Sequence, residues 1–151
     1  ISLFFLAIML PGLFLNRIIS VTRSYTNALS ALIIAVGLLI LSLFKSPTLL
    51  IFGVILVGFG YGIIQPLIYD KAAIIAPPQL ATKALSIVMA ANYTAIILCP
   101  FIINAARKLF ANQTEQFGFL FNGVLAAIVT LIAFMGKKDF ALGLDSSYYS
   151  K

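Results

Sequence analysis

Long stretches without a single charged residue decide what this chain can fold into. Residues 24–44, 46–69, 84–106 and 116–136 contain no Asp, Glu, Lys or Arg, and neither do residues 1–16. The four complete runs are each about 21–24 residues long. Crossing the roughly 30 Å hydrocarbon layer of a bilayer takes about 20 apolar residues as an α-helix. No water is present at that depth to bond free backbone groups, so the backbone must satisfy itself, and a helix does so within one segment. A β-barrel would alternate polar and apolar residues over segments of about ten, and no stretch here alternates. The spacing predicts an all-α integral membrane protein with about five transmembrane helices, at residues 1–15, 27–44, 49–69, 84–103 and 117–135.

Composition agrees. Apolar residues make up 62% of the 151 and charged residues only 9%, against roughly 25% charged in a soluble domain. Too few charges remain to coat a water-facing surface, so the expected partner over much of the chain is the lipid bilayer. The formal net charge is +6. The basic residues lie between apolar runs instead of forming a patch, which favours a topological role over nucleic-acid binding. The chain has no histidine, one cysteine and four acidic residues. A histidine-based triad cannot be built from this set, and zinc or haem sites are disfavoured. The expectation is no enzyme, no cofactor and no metal.

The charged gaps predict sidedness. Arg17, Arg23, Lys71, Lys83, Lys137, Lys138 and Lys151 fall on one side, and Lys45, Arg107 and Lys108 on the other. Positive residues concentrate on the cytoplasmic side. The C-terminus is therefore expected in the cytoplasm, and the chain as a multi-pass protein of the cell (inner) membrane. Residues 1–138 would form the transmembrane bundle, truncated at its N-terminal end, and residues 139–151 a cytoplasmic tail.

The third predicted helix is the most informative. Gly58, Gly60 and Gly62 alternate, and the spacing fails the dinucleotide-binding fingerprint. Glycines in an apolar helix commonly let a second helix approach, and Gly58 and Gly62 form a small-xxx-small pair. Leucine at Gly53, in contrast, is expected to face lipid and be tolerated. Pro66 removes one backbone bond and predicts a kink. Tyr61, Gln65 and Tyr69 are spaced i, i+4, i+8 and share a face, either along a solute pathway or in bonds to a neighbouring helix. In the fourth helix Asn92 sits near mid-span, where an amide needs a partner, and Tyr93 follows it. Thr82 is the expected cap of that helix. The second and fifth helices are blander and are expected at the periphery. No acidic residue lies inside any predicted helix, so proton-relay carboxylates are not expected in this segment.

Four stretches resemble the major facilitator superfamily. Gly58-Phe59-Gly60-Tyr61-Gly62-Ile63-Ile64-Gln65-Pro66 is similar to the glycine–proline signature of the tenth helix in bacterial efflux-type members. Pro77-Pro78-Gln79-Leu80-Ala81-Thr82-Lys83 resembles the loop after it, and Asn92 to Pro100 resembles the eleventh helix. Upstream, Gly12-Leu13-Phe14-Leu15-Asn16-Arg17 is similar to the loop between the eighth and ninth helices, with Asn16 where the family usually has Asp. The resemblance covers nearly the whole chain. It implies helices eight to twelve of twelve, that is, part of the C-terminal six-helix bundle of a major facilitator fold built from inverted repeats.

The resemblance also implies a function. The chain would be part of a secondary transporter, an efflux-type antiporter moving a small organic solute or drug by alternating access. Its partners would be that solute and the N-terminal half of the same protein. Tyr61, Gln65, Asn92 and Tyr93 would line the substrate pathway. Gly58, Gly60, Gly62, Pro66, Gly12 and Arg17 would serve helix packing and gating. The alternative expectation is a helical membrane protein that transports nothing: a degenerate transporter remnant or an interaction partner.

Overall fold

The computed structural model describes residues 2–112, 114–137, 139 and 143. Lys138, Lys151 and nearly all of the expected tail lie outside these. Six α-helices account for almost all of the described chain: α1 (Ser2–Leu13), α2 (Leu15–Thr22), α3 (Thr26–Leu43), α4 (Pro47–Ile75), α5 (Ala81–Leu109) and α6 (Phe117–Met135). Four segments are long and apolar enough to cross a bilayer: Leu15–Leu43, Pro47–Ile75, Pro78–Leu109 and Phe117–Met135. The architecture is that of an all-α, multi-pass membrane protein. The expected first span is only partly matched. At 12 residues α1 rises about 18 Å, short of a hydrocarbon layer.

Residues 16–26, expected to be a loop, are mostly helical. Two charges, Arg17 and Arg23, suggested a loop, but Leu15, Ile18 and Ile19 recur at i, i+3, i+4 and form one apolar stripe. Ile19 is buried with Ile63 and Leu67 of α4, and Leu15 and Ile18 pack against the same cluster. Asn16, Arg17 and Ser20 remain exposed. A short amphipathic helix therefore packs its apolar stripe against α4. It ends at Arg23, whose φ of 47° turns the chain into a 3-10 turn (Arg23–Tyr25) leading to α3.

The helices α4 and α5 are longer than expected. Pro47 opens α4 at its first position, where a missing N–H costs nothing. The helix continues through Pro66 and past Asp70-Lys71 to Ile75. Ala76 is extended and a 3-10 turn over Pro78–Leu80 leads into α5. That helix starts at Ala81 after Leu80, without a side-chain cap. Thr82 is not a cap: it lies inside the helix, where its carbonyl accepts from the Ser86 hydroxyl at 2.9 Å. At the far end Asn112 N–H bonds the Arg107 carbonyl at 3.1 Å and Ala111 N–H the Lys108 carbonyl at 3.3 Å. This is a Schellman closure with Ala111 at φ 49°.

Packing departs from expectation at α3. Its small-residue face, including Ala28, Ala31, Ala35 and Gly37, is buried, and it lies between α4 and α6. Its blandness marks close approach and not the periphery. Gly123 of α6 lies beside Leu38 and Leu39, while Tyr25 meets Phe134 with ring centroids 6.0 Å apart, so α3 and α6 run antiparallel. Phe4 and Ala7 of α1 meet Gly58, and Ile8 and Pro11 meet Gly62, so α1 and α4 run parallel. The outlier is α5. It packs mainly on α4, and Ala106 is its one buried residue.

Candidate functional site

The glycines of α4 serve two faces. A Cβ built on Gly58 would come within 2.8 Å of Ala7 Cβ and 3.0 Å of the Phe4 carbonyl. One built on Gly62 would overlap the Ile8 carbonyl and stand 2.7 Å from Pro11 Cγ. Both face α1. Gly60 faces α3, with Ser30 O 2.7 Å from its hypothetical Cβ. Gly53 does not face lipid as expected. It is buried against Leu41 and Gly37 of α3, and Gly37 in turn approaches the Gly53 carbonyl. At the α3–α4 crossing the two glycines thus lie against each other's carbonyls, with the side chains of Leu41 and Val57 packed beside them. Gly12, the other glycine expected at a packing or gating position, has no heavy atom within 4 Å of a built Cβ. Arg17 projects from the exposed side of α2.

Between these faces runs the polar stripe. Tyr61, Gln65 and Tyr69 are all half-buried, and Gln65 Nε2 donates to the Tyr69 hydroxyl at 3.0 Å. That bond runs along α4 and not to a neighbouring helix. Ile68, Ala72 and Ile75 of α4 share a groove with Ala84, Ile87 and Val88 of α5. At about 100° per residue, Tyr61 and then Gln65 continue that α5-facing line up the helix. Pro66 stands beside Gln65.

The two expected pathway residues on α5, Asn92 and Tyr93, separate. Asn92 is half-buried, about a quarter turn from the α4-facing line and at about the depth of Gln65. Its side-chain amide makes no hydrogen bond among the described residues, in contrast to Asn122, which donates to the Gly118 carbonyl at 2.8 Å, and Thr94, which donates to Ala90 at 2.8 Å. Tyr93 lies nearly half a turn from that line and is 58% exposed. The structure therefore brings Tyr61, Gln65 and Asn92 to one side of the α4–α5 hairpin and leaves Tyr93 on the other side of α5.

A cavity of about 440 Å³ borders Cys99, Pro100, Asn104 and Arg107 along the second half of α5. Arg107 reaches the Glu115 carbonyl at 3.3 Å. Among the described residues no group of three His, Cys, Asp or Glu side chains could hold a metal ion.

Lys71 was expected in a loop, as a topological charge. It is instead buried, 6% exposed, near the end of α4, and its ammonium donates to the Gly143 carbonyl. Lys71 borders both the α4–α5 groove and a smaller cavity of about 130 Å³ among α3, α4 and α6. The signal was present in the sequence. Ile68, Ala72 and Ile75 continue an apolar helical stripe beyond Asp70-Lys71, so the charges interrupt the hydropathy without ending the helix. At the same end of the bundle Lys137 donates to the Tyr25 hydroxyl at 2.7 Å and lies 4.6 Å from the centre of its ring. Lys71, Lys137 and Arg23 thus share one end.

No protein-family model, curated protein or solved structure matches the chain.

Proposed function

We propose that the chain is part of a secondary transporter of the major facilitator type, moving a small organic solute outward across the cell membrane by alternating access. The observation that carries the proposal is the polar line of Tyr61 and Gln65 beside Pro66, on the side of α4 that faces α5. Lipid cannot satisfy hydrogen-bonding groups at that depth, so polar groups and proline-weakened backbone belong beside protein or a water-filled cavity. Asn92, whose amide makes no hydrogen bond among the described residues, adds a third group to the same side at a similar depth on α5.

Two further features support the reading. α1 and α4 cross in parallel at Gly58 and Gly62, and in this reading they would be the equivalents of helices eight and ten. The α5 surface, with almost nothing buried, suits a helix that other helices cover in a larger assembly, such as an N-terminal half. The cytoplasmic placement of Arg23, Lys71, Lys83 and Lys137 belongs to the same proposal and rests on the positive-inside bias.

The test is transport by the complete gene product, purified and reconstituted, assayed by counterflow and by efflux of a panel of organic cations and neutral amphiphiles. Substrate-dependent counterflow is the expected result. A folded, monodisperse sample that moves no member of the panel would reject the proposal and favour the reading of a helical membrane protein without transport.

A further inference from the structure

We propose that the groove along the second half of α5 binds an amphipathic organic anion with a single apolar tail, its acid group on Arg107 and its tail along Ile103, Pro100 and Ile96. The groove holds about 440 Å³, within the range of roughly 300–1,000 Å³ typical of small-molecule sites. Its lining divides into two parts. Ile96, Pro100 and Ile103 are apolar, Cys99 stands among them, and Asn104 and Arg107 occupy one end. Asn104 and Arg107 are three residues apart and so are neighbours on one face of the helix. Ile96 lies about 16 Å from Arg107 along the helix axis.

Arg107 sets the charge of the ligand. A guanidinium is permanently positive and carries five N–H donors. One of them donates to the Glu115 carbonyl at 3.3 Å, while the buried Nε has no hydrogen-bond partner among the described residues. Arg107 forms no ion pair among those residues either. A buried donor left unbonded costs free energy, and a carboxylate or phosphate can accept from two guanidinium donors at once. The Asn104 side chain, also without a hydrogen bond among the described residues, offers an amide donor beside it. No acidic side chain enters the lining, so a cationic ligand would meet only like charge. Shape sets the rest. All six lining residues belong to α5 and recur at i, i+3, i+4 along it, which makes one lane, suited to one tail and not to the two of a phospholipid. An apolar helix packed into the same lane would bring no countercharge to Arg107.

The proposal concerns binding and does not depend on transport. Cys99 lies in the groove, half-buried, and can report its occupancy. The test is the rate at which a maleimide modifies Cys99 in the complete protein, with any other cysteine replaced by serine, in phosphatidylcholine nanodiscs. Dodecanoate should slow the reaction at a concentration about tenfold or more below that of dodecanol, the worth of one hydrogen bond to a charged group. Dodecyltrimethylammonium should protect no better than dodecanol. Arg107→Gln should bring the dodecanoate advantage to about one, and Arg107→Lys should keep part of it. Lys108→Gln, at an exposed position outside the lining, should leave it unchanged. Ile96→Trp, which fills the apolar end, should weaken protection by dodecanoate. Equal protection by dodecanoate and dodecanol in the unmodified protein would overturn the proposal. So would an unchanged advantage in Arg107→Gln, undiminished protection in Ile96→Trp, or equal protection by millimolar acetate, which would mean that the tail is not bound. Full protection on exchanging phosphatidylcholine for phosphatidylglycerol, without dodecanoate, would also overturn it and assign the groove to lipid. If Arg107→Gln fails to fold, the Arg107→Lys and Ile96→Trp results decide.

Discussion

Replacing Gly62 with alanine is the sharpest test of how α1 is held. The new methyl group would overlap the Ile8 carbonyl oxygen and stand 2.7 Å from Pro11 Cγ. A flexible side chain could swing away, but here the first obstacle is backbone in the middle of a helix and the second is a proline ring. The two helices must therefore separate by an ångström or more. Overfilling a packed interior costs about 1–3 kcal/mol, and a backbone obstacle puts Gly62→Ala near the upper end. Gly12→Ala is the matched control on α1, with nothing within 4 Å of the added methyl. It should be neutral or stabilising by up to about 1 kcal/mol, because alanine is the better helix former. For a chain of this size about 3 kcal/mol corresponds to roughly 6–12 °C in Tm. The assay is the monodisperse fraction surviving a heating series in detergent. Equal Tm values for Gly62→Ala and the unmodified protein, or equal losses at positions 12 and 62, would refute the packing argument.

Ala111→Gly should stabilise by about 1 kcal/mol, because Ala111 closes α5 at φ 49°, where a Cβ is strained and glycine is not; chemical denaturation shows it, and a loss would mean the closure is not as described. Single cysteines at positions 23 and 83, in a Cys99→Ser background, should react with an impermeant thiol reagent from the side opposite to those at 48 and 112. Labelling of all four from one side in intact cells would contradict the antiparallel order of α3, α4 and α5. Gln65→Leu and Tyr61→Phe should each shift the relative transport of different solutes about 2- to 13-fold, the worth of one neutral hydrogen bond of about 0.5–1.5 kcal/mol. A proportional loss across all solutes, at normal membrane levels, would assign both side chains to scaffold alone.

Uncharged run length fixed the helical, membrane-spanning class and even the limits of α6, because hydrocarbon leaves the backbone a single solution and apolar length reports it directly. Pairing was less legible. Gly58 and Gly62 could be read as a crossing from their spacing, but Gly53 could not be distinguished from a lipid-facing glycine. The same missing side chain suits a tight crossing and open space equally, and only the position of α3 decides between them. Polar periodicity placed Tyr61 and Gln65 on one face of α4, whereas on α5 Tyr93 stands about 100° from Asn92 and is exposed.

Charged residues misled for a common reason. Arg17, Arg23 and Lys71 were taken as the ends of spans, on the premise that a charge stops a membrane helix. A long basic side chain can extend its charge away from its own Cα. An amphipathic helix can pack its apolar stripe on the bundle with its charges outward, as α2 does with Arg17. A helix long enough to span can also continue past its uncharged run and carry a lysine near its end, as α4 does with Lys71. Hydropathy locates the hydrocarbon, while helical periodicity locates the helix, and the residues between those two limits are where this chain places its buried cation.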